Sequence, residues 1–188
     1  MEGWWAASYF VLWGVVVMLC LVVVALARQI GTLHLRLGPR GALEMDDEGP
    51  PLGEPAPTAE VTDIAGVTHR IGSRGQVLMF VSPGCSMCAQ VMPGVGAVAS
   101  QAGLQPLIVS DTDEAETRSQ FQAKRAPAPV VSGLTFIESF SVPGTPYIVV
   151  TDQRGVVRGK GTVNNLEQLE GLVETARRRA EQPEVMAE

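Results

Sequence analysis

Cys85 and Cys88 stand two residues apart in "SPGCSMC" (82–88), directly after the apolar run Val77-Leu78-Met79-Phe80-Val81. That spacing serves three chemistries: half of a zinc site, a structural crosslink, or a redox pair. Structural zinc takes four ligands, commonly completed by a second Cys-x-x-Cys or a histidine pair. The remaining cysteine, Cys20, lies in a distant apolar stretch, and His34 and His69 stand alone. The composition therefore argues against zinc, and no metal site is expected. Cu(I) would accept thioether ligands from Met87 and Met92, although both also suit the edge of a core. A crosslink between Cys85 and Cys88 closes a very short loop, so it constrains little of the unfolded chain. The redox reading has a positive physical reason. A strand runs to Ser82 and a helix begins around Cys85, which places that thiol against the unsatisfied N–H groups and positive end of a helix. Such a position favours the thiolate. Cys88, about one turn on, is within disulfide reach and more buried.

The flanking elements must hold this junction. "QVLMFVS" reads as a buried central strand, and Val91, Val95 and Val98 lie at helical spacing after Cys85, with Gly103 as the stop. Pro93, inside that helix, is expected to kink it. "VTDIAGVTHRI" reads as two short strands around Ala65-Gly66, with His69 facing solvent. "LQPLIVS" is a second buried strand, and "DTDEAETRSQFQAK" a helix with Asp111 and Glu114 as its capping pair. "PYIVVTDQRGVVRGKGTV" reads as a hairpin turning at Asp152 to Gly155. Thr145-Pro146 precedes its first strand, where a proline is tolerated. A last helix follows Asn164, with Glu167 as capping partner and Leu166, Leu169, Leu172 and Val173 on one face. The charged tail after Arg177 is expected to fray. Strands alternating with helices and closed by a hairpin give an α/β or mixed-sheet class.

Composition sets the outer limits. The chain has 188 residues, a net charge of −6 and three cysteines. Those values exclude a disulfide-rich scaffold and, with no basic patch interleaved with aromatics, argue against nucleic-acid binding. Gly3 to Ala27 carries no charge and as a helix would span roughly 35 Å, enough for a bilayer core. Residues 1–28 are therefore read as a single uncleaved transmembrane anchor, with Trp4, Trp5 and Tyr9 at one interface and Arg28 at the other. Cys20 within it is a small apolar residue. Residues 29–59 comprise a juxtamembrane segment and an acidic, Pro/Gly-rich linker, expected to be extended. Residues 60–180 form the folded domain and 181–188 its charged tail. Arg28, Arg36 and Arg40 all follow the span, so the positive-inside rule would place the domain in the cytoplasm.

The strand–CxxC–helix unit, the proline eight residues after Cys85 and the Thr-Pro before a hairpin resemble the thioredoxin superfamily over roughly 61–180. "ARQIGTLHLRLGPRGAL" (27–43), "FVSPGCSMC" (80–88) and "GVVRGKGTVNNLEQLEGL" (155–172) narrow the resemblance to the membrane-anchored TlpA-like branch, in particular accessory proteins of the MauD type. The resemblance implies a thioredoxin-like fold, a central mixed β-sheet flanked by helices, with the redox pair at the tip of the first long domain helix. It implies a cis Pro146 facing the disulfide. Pro146 and the Thr145 backbone would shape a groove for an extended client chain. Cys85 would attack and Cys88 resolve, with no separate cofactor. The implied partners are client protein thiols or disulfides, a redox partner protein and the membrane. For MauD-type proteins the implied client process is maturation of methylamine dehydrogenase, whose small subunit carries many disulfides. Disulfide exchange belongs outside the cytoplasm, so the redox domain is expected on the outer face despite the arginine count.

Three departures stand out. Thioredoxins carry a buried acid six residues before the first cysteine; Met79 is there. The pair between the cysteines is Ser86-Met87, and Gly84 replaces the usual tryptophan. Two other classes use the same residues differently: a copper chaperone binding through both cysteines, and a tethered binding module in which they are incidental.

Overall fold

The computed structural model describes residues 3–36, 48–121 and 126–182. The chain forms two compact units, Met1–Gly38 and Pro39–Glu188. In the first, helix α1 (Gly3–Arg36) presents Trp4, Trp5, Leu12, Met18 and Leu21 outward. Its Gly3–Val24 stretch, 22 residues, is long and apolar enough to cross a membrane. Cys20 is a free thiol there. The side chains of Arg28, His34 and Arg36, and all of Arg40, lie outside the described residues.

The second unit is built in the order β1 (Ala59–Thr62), β2 (Thr68–Ile71), β3 (Gln76–Val81), α2 (Ser86–Gln101), β4 (Gln105–Ser110), α3 (Glu114–Phe121), β5 (Val130–Ser132), a 3-10 turn (Ile137–Phe140), β6 (Tyr147–Thr151), β7 (Val157–Thr162) and α4 (Leu166–Glu181). The five-stranded sheet has the order β5-β4-β3-β6-β7. β3, β4 and β5 run parallel, whereas β6 and β7 are antiparallel to their neighbours. Central β3 is buried at every position, as an unbroken apolar run covered on both faces should be. One face packs Val77, Met79 and Val81 of β3 against Val91 and Val95 of α2 and Leu169, Leu172 and Val173 of α4. The other packs Leu78 and Phe80 with Phe136, Phe140 and Ala56. Each fully buried Val or Leu in these layers contributes about 1.5–3 kcal/mol. The mixed sheet and α2 match the expected thioredoxin-like plan.

The helix ends differ in detail from expectation. Asp113, not Asp111, caps α3: its Oδ1 accepts from the Glu116 N–H at 2.8 Å. Asp111 is drawn off by another partner, described below. Asn165, not Asn164, caps α4, accepting from the Gln168 N–H at 2.8 Å, while Gln168 Oε1 accepts from the Asn164 N–H at 2.7 Å. The box is the expected one shifted by a residue, with Gln168 in place of Glu167. α4 also runs past Arg177 to Glu181, and Arg177 bridges Glu174 and Glu181 on its surface. Leu166 is exposed to solvent over part of its surface but lies against Gly94, where a Cβ would sit 2.3 Å from its Cδ1. Pro93 is on the exposed side of α2, and the helix continues through it to Gln101.

Two further expectations change. Residues 37–47 of the linker lie outside the described residues, but 48–58 are not a free tether. The Gly53 N–H bonds to Val157 O, Val157 N–H to Glu54 O and Ala56 N–H to Gly155 O, each at 2.9 Å. Tyr147 Oη donates to Glu48 O. Backbone groups and the small apolar Ala56 outweigh the acidic composition there. His69 does not simply face solvent: its Nε2 lies 2.8 Å from Asp63 Oδ2, inside the turn between β1 and β2.

Candidate redox site

The redox pair sits where three strand ends meet. Register places Val81 of β3 beside Ser110 of β4 and Phe80 beside Tyr147 of β6. The residues that follow β3 and β4 and those that precede β6 therefore gather at one end of the sheet. Gly84 turns the chain with φ +72, a conformation in which a side chain is strained, and a Cβ there would meet nothing within 4 Å. The space before Cys85, where a tryptophan stands in thioredoxins, is open.

Cys85 is the N-cap of α2. Its sulfur accepts from the Cys88 N–H at 3.1 Å, taking the place that a Ser or Asp oxygen normally fills. Its own N–H donates to Ser82 O at 3.3 Å. Cys85 and Cys88 form a disulfide. The two sulfurs are unequally accessible: Cys85 is partly exposed, whereas Cys88 is 2 % exposed and part of the core. An incoming thiolate therefore meets Cys85 first and, on attacking its sulfur, releases Cys88 as the thiolate; when Cys85 is freed in turn, its charge lies at a helix end whose amides stabilise it. Met87 is solvent-accessible beside the pair, and Met92 packs against the core.

The Thr145-Pro146 peptide is cis, with Pro146 buried and Thr145 half-buried. Pro146 O accepts from the Val163 N–H, which ties the loop to the start of α4. Thr145 Oγ1 donates to Ser82 Oγ at 2.9 Å. Ser82 Oγ in turn donates to Asp111 Oδ2. The structure thus brings Thr145 to the strand end that carries the cysteines, through a hydroxyl contact that the sequence reading does not contain. Ser82 and Asp111 are the residues missed. Each directly follows one of two buried strands, so parallel in-register pairing of β3 with β4 would have set them side by side. Spacing alone does not reveal that pairing.

No protein-family profile matches the chain. Solved structures with the same fold include a thio-disulfide isomerase from Thermus thermophilus (TM-score 0.54, 21% identity, covering 66% of this chain and 96% of that one). Another is the pneumococcal exposed lipoprotein thioredoxin Etrx1 from Streptococcus pneumoniae (TM-score 0.55, 20% identity, 65% and 99%). Full-length relatives are nearer in sequence. The methylamine utilization protein MauD of Methylobacillus flagellatus is 35% identical over 187 residues, 94% of this chain and 88% of its own. The protein of the same name from Paracoccus denitrificans is 32% identical over 187 residues, 94% and 91%. Both matches cover most of each chain, and the chain belongs to the MauD family.

Proposed function

We propose that this protein is a membrane-tethered thiol–disulfide oxidoreductase that exchanges disulfides with client proteins on the outer face of the membrane. The observation that carries the reading is the Cys85–Cys88 disulfide at the N-terminus of α2, with one sulfur accessible and the other in the core. In the reducing direction the Cys85 thiolate attacks a client disulfide. It forms a mixed disulfide and releases one client thiolate. The Cys88 thiolate then attacks Cys85 Sγ, which regenerates the internal disulfide and frees the second client thiolate. Two electrons pass from the dithiol to the client; the reverse sequence oxidises a client dithiol. A redox partner protein resets the pair. Thr145 and Pro146 form the edge along which an extended client chain lies. Disulfide exchange is useful where disulfides persist, which favours the periplasm or cell exterior. The relatives' name supports a client in methylamine utilisation, such as methylamine dehydrogenase.

Trapping tests the reading. Cys88→Ser removes the resolving thiol, so a mixed disulfide through Cys85 should accumulate and vanish on adding reductant. It should be absent in the Cys85→Ser/Cys88→Ser double variant. A Cys88→Ser protein that captures no client, in cells where the wild type is functional, would refute disulfide exchange.

A further inference from the structure

Asp111 is an uncommon kind of carboxylate for this molecule. Asp63 and Asp152, two carboxylates whose side chains are buried in turns, use both oxygens. Asp63 accepts from the Ala65 and Val67 amides and His69, and Asp152 from the Arg154 and Val156 amides and Arg158. Asp111 uses one. Oδ2 accepts from Ser82, while Oδ1 is buried with no hydrogen-bond partner among the described residues. A buried acceptor left unpaired costs free energy, and such groups concentrate at functional sites. Its backbone is pinned: the Asp111 N–H donates to Val81 O at 3.0 Å, and the neighbouring Ser110 and Thr112 hydroxyls bond to each other at 2.8 Å.

The receiving end of this chain is Thr145. Its hydroxyl bond to Ser82 is the one hydrogen bond Thr145 makes among the described residues. The Thr145 backbone N–H and C=O make no hydrogen bond among the described residues, so the side chain is what fixes their placement. The chain of donors runs one way. Asp111 accepts the Ser82 proton, so Ser82 Oγ must present a lone pair to the Thr145 hydroxyl. Without that acceptor the Ser82 proton is free to turn toward Thr145, and the orientation of the loop is no longer dictated. Linked hydrogen bonds of this kind reinforce one another.

We propose that Asp111 is a positioning residue for client recognition, acting through Ser82 to hold the Thr145-Pro146 edge against the strand that carries the cysteines. The proposal rests on the disulfide-exchange reading above, and deepens it by naming what presets the client groove.

The test is steady-state reduction of a labelled extended peptide carrying one disulfide, by the full-length protein in detergent with dithiothreitol as electron donor. Asp111→Ala and Ser82→Ala should each raise KM about ten-fold, the loss expected for one charge-assisted bond, with kcat changed less than about two-fold. Asp111→Asn, which keeps an acceptor oxygen, should recover most of the loss. The Asp111→Ala/Ser82→Ala double variant should match either single one, because both cut the same chain. Losses that multiply in the double variant, an unchanged KM, or an equal fall in kcat would each overturn the positioning role while leaving exchange itself intact. A wild-type protein that fails to reduce the peptide at all sinks the exchange reading and this proposal together.

Discussion

At one end of β6, Asp152 closes the turn into β7 by accepting from the backbone amides of Arg154 and Val156 and from Arg158 Nε at 2.9 Å. At the other end, Thr145 makes one hydrogen bond among the described residues, from its hydroxyl to Ser82, which in turn donates to Asp111. The two ends belong to the same strand and are set in the same sheet. The first is saturated, with Arg158 and Asp152 both buried, and Gly155 fits there because a Cβ would lie 2.1 Å from Gly72 O. Among the described residues, the second leaves the Thr145 backbone and one Asp111 oxygen without a hydrogen bond. The contrast sets a closed hydrogen-bond network at the end away from the cysteines against unused hydrogen-bonding groups at Thr145 and Asp111 beside them. Such a division is expected where a site must accept a partner's chain.

The sharpest way to break this comparison is to remove Asp152. Asp152→Ala strands a buried guanidinium and two amides, and should cost about 3–5 kcal/mol, measured by urea denaturation of the full-length protein. Peptide-disulfide reduction by the fraction still folded should stay within about two-fold of wild type. A large loss of exchange with little loss of stability would invert the assignment of the two ends.

Acid separates them in a second way. Burial alone pushes the Asp152 carboxyl up, but the Val156 amide, the Arg158 guanidinium and the Arg154 amide together outweigh it and hold the group below its ordinary value. Asp63 behaves alike: burial raises it, and His69 with the Val67 and Ala65 amides more than reverses that. Both folded-state values are depressed. The stability these groups supply is therefore full above the ordinary carboxylate range near about pH 4, and is lost as pH falls through the depressed values. Unfolding free energy should drop steeply below about pH 4, and Asp152→Asn should flatten that drop. The same variant should cost about 2 kcal/mol at neutral pH and converge with wild type in acid. Parallel curves across the whole range would show that the Asp152 charge is not what holds that end.

These two ends were unequally legible in the sequence. Asp152 to Gly155 announces a turn by residue type, and the strand-like segments on either side set the hairpin, so the architecture there could be read directly. The cysteine pair was equally plain, because a strand–CxxC–helix junction is local. Pairing between β3 and β4 is not local: Ser82 and Asp111 are twenty-nine residues apart, and no periodicity states that their strands lie side by side and in register. The same limit hid β5, three residues long, and the docking of 48–58, where backbone hydrogen bonds override a composition that reads as linker. Arg158, at the start of a strand rich in glycine, gave no sign that it would be buried; its partner six residues back lies across the turn. The capping errors, two residues at α3 and one at α4, have a simpler cause. Each helix start offers two candidates: at α3 Ser82 has already engaged Asp111, which leaves Asp113, and at α4 two asparagines stand side by side.

A smaller effect tests whether the cysteine end is weak throughout or only at Thr145. The α4 N-terminus belongs to that end, since Val163 N–H donates to Pro146 O and α4 begins at Leu166. Its cap is fully formed: Asn165 accepts from Gln168, and Gln168 returns the bond to Asn164. Asn165→Ala should therefore cost about 1 kcal/mol, well below the cost of Asp152→Ala but still measurable by denaturation. A cost near zero would mean that α4 is held by Leu169, Leu172 and Val173 alone, and that the whole end is loosely fastened. A cost near 1 kcal/mol would confine the looseness to Thr145, the residue whose backbone is proposed to receive a client.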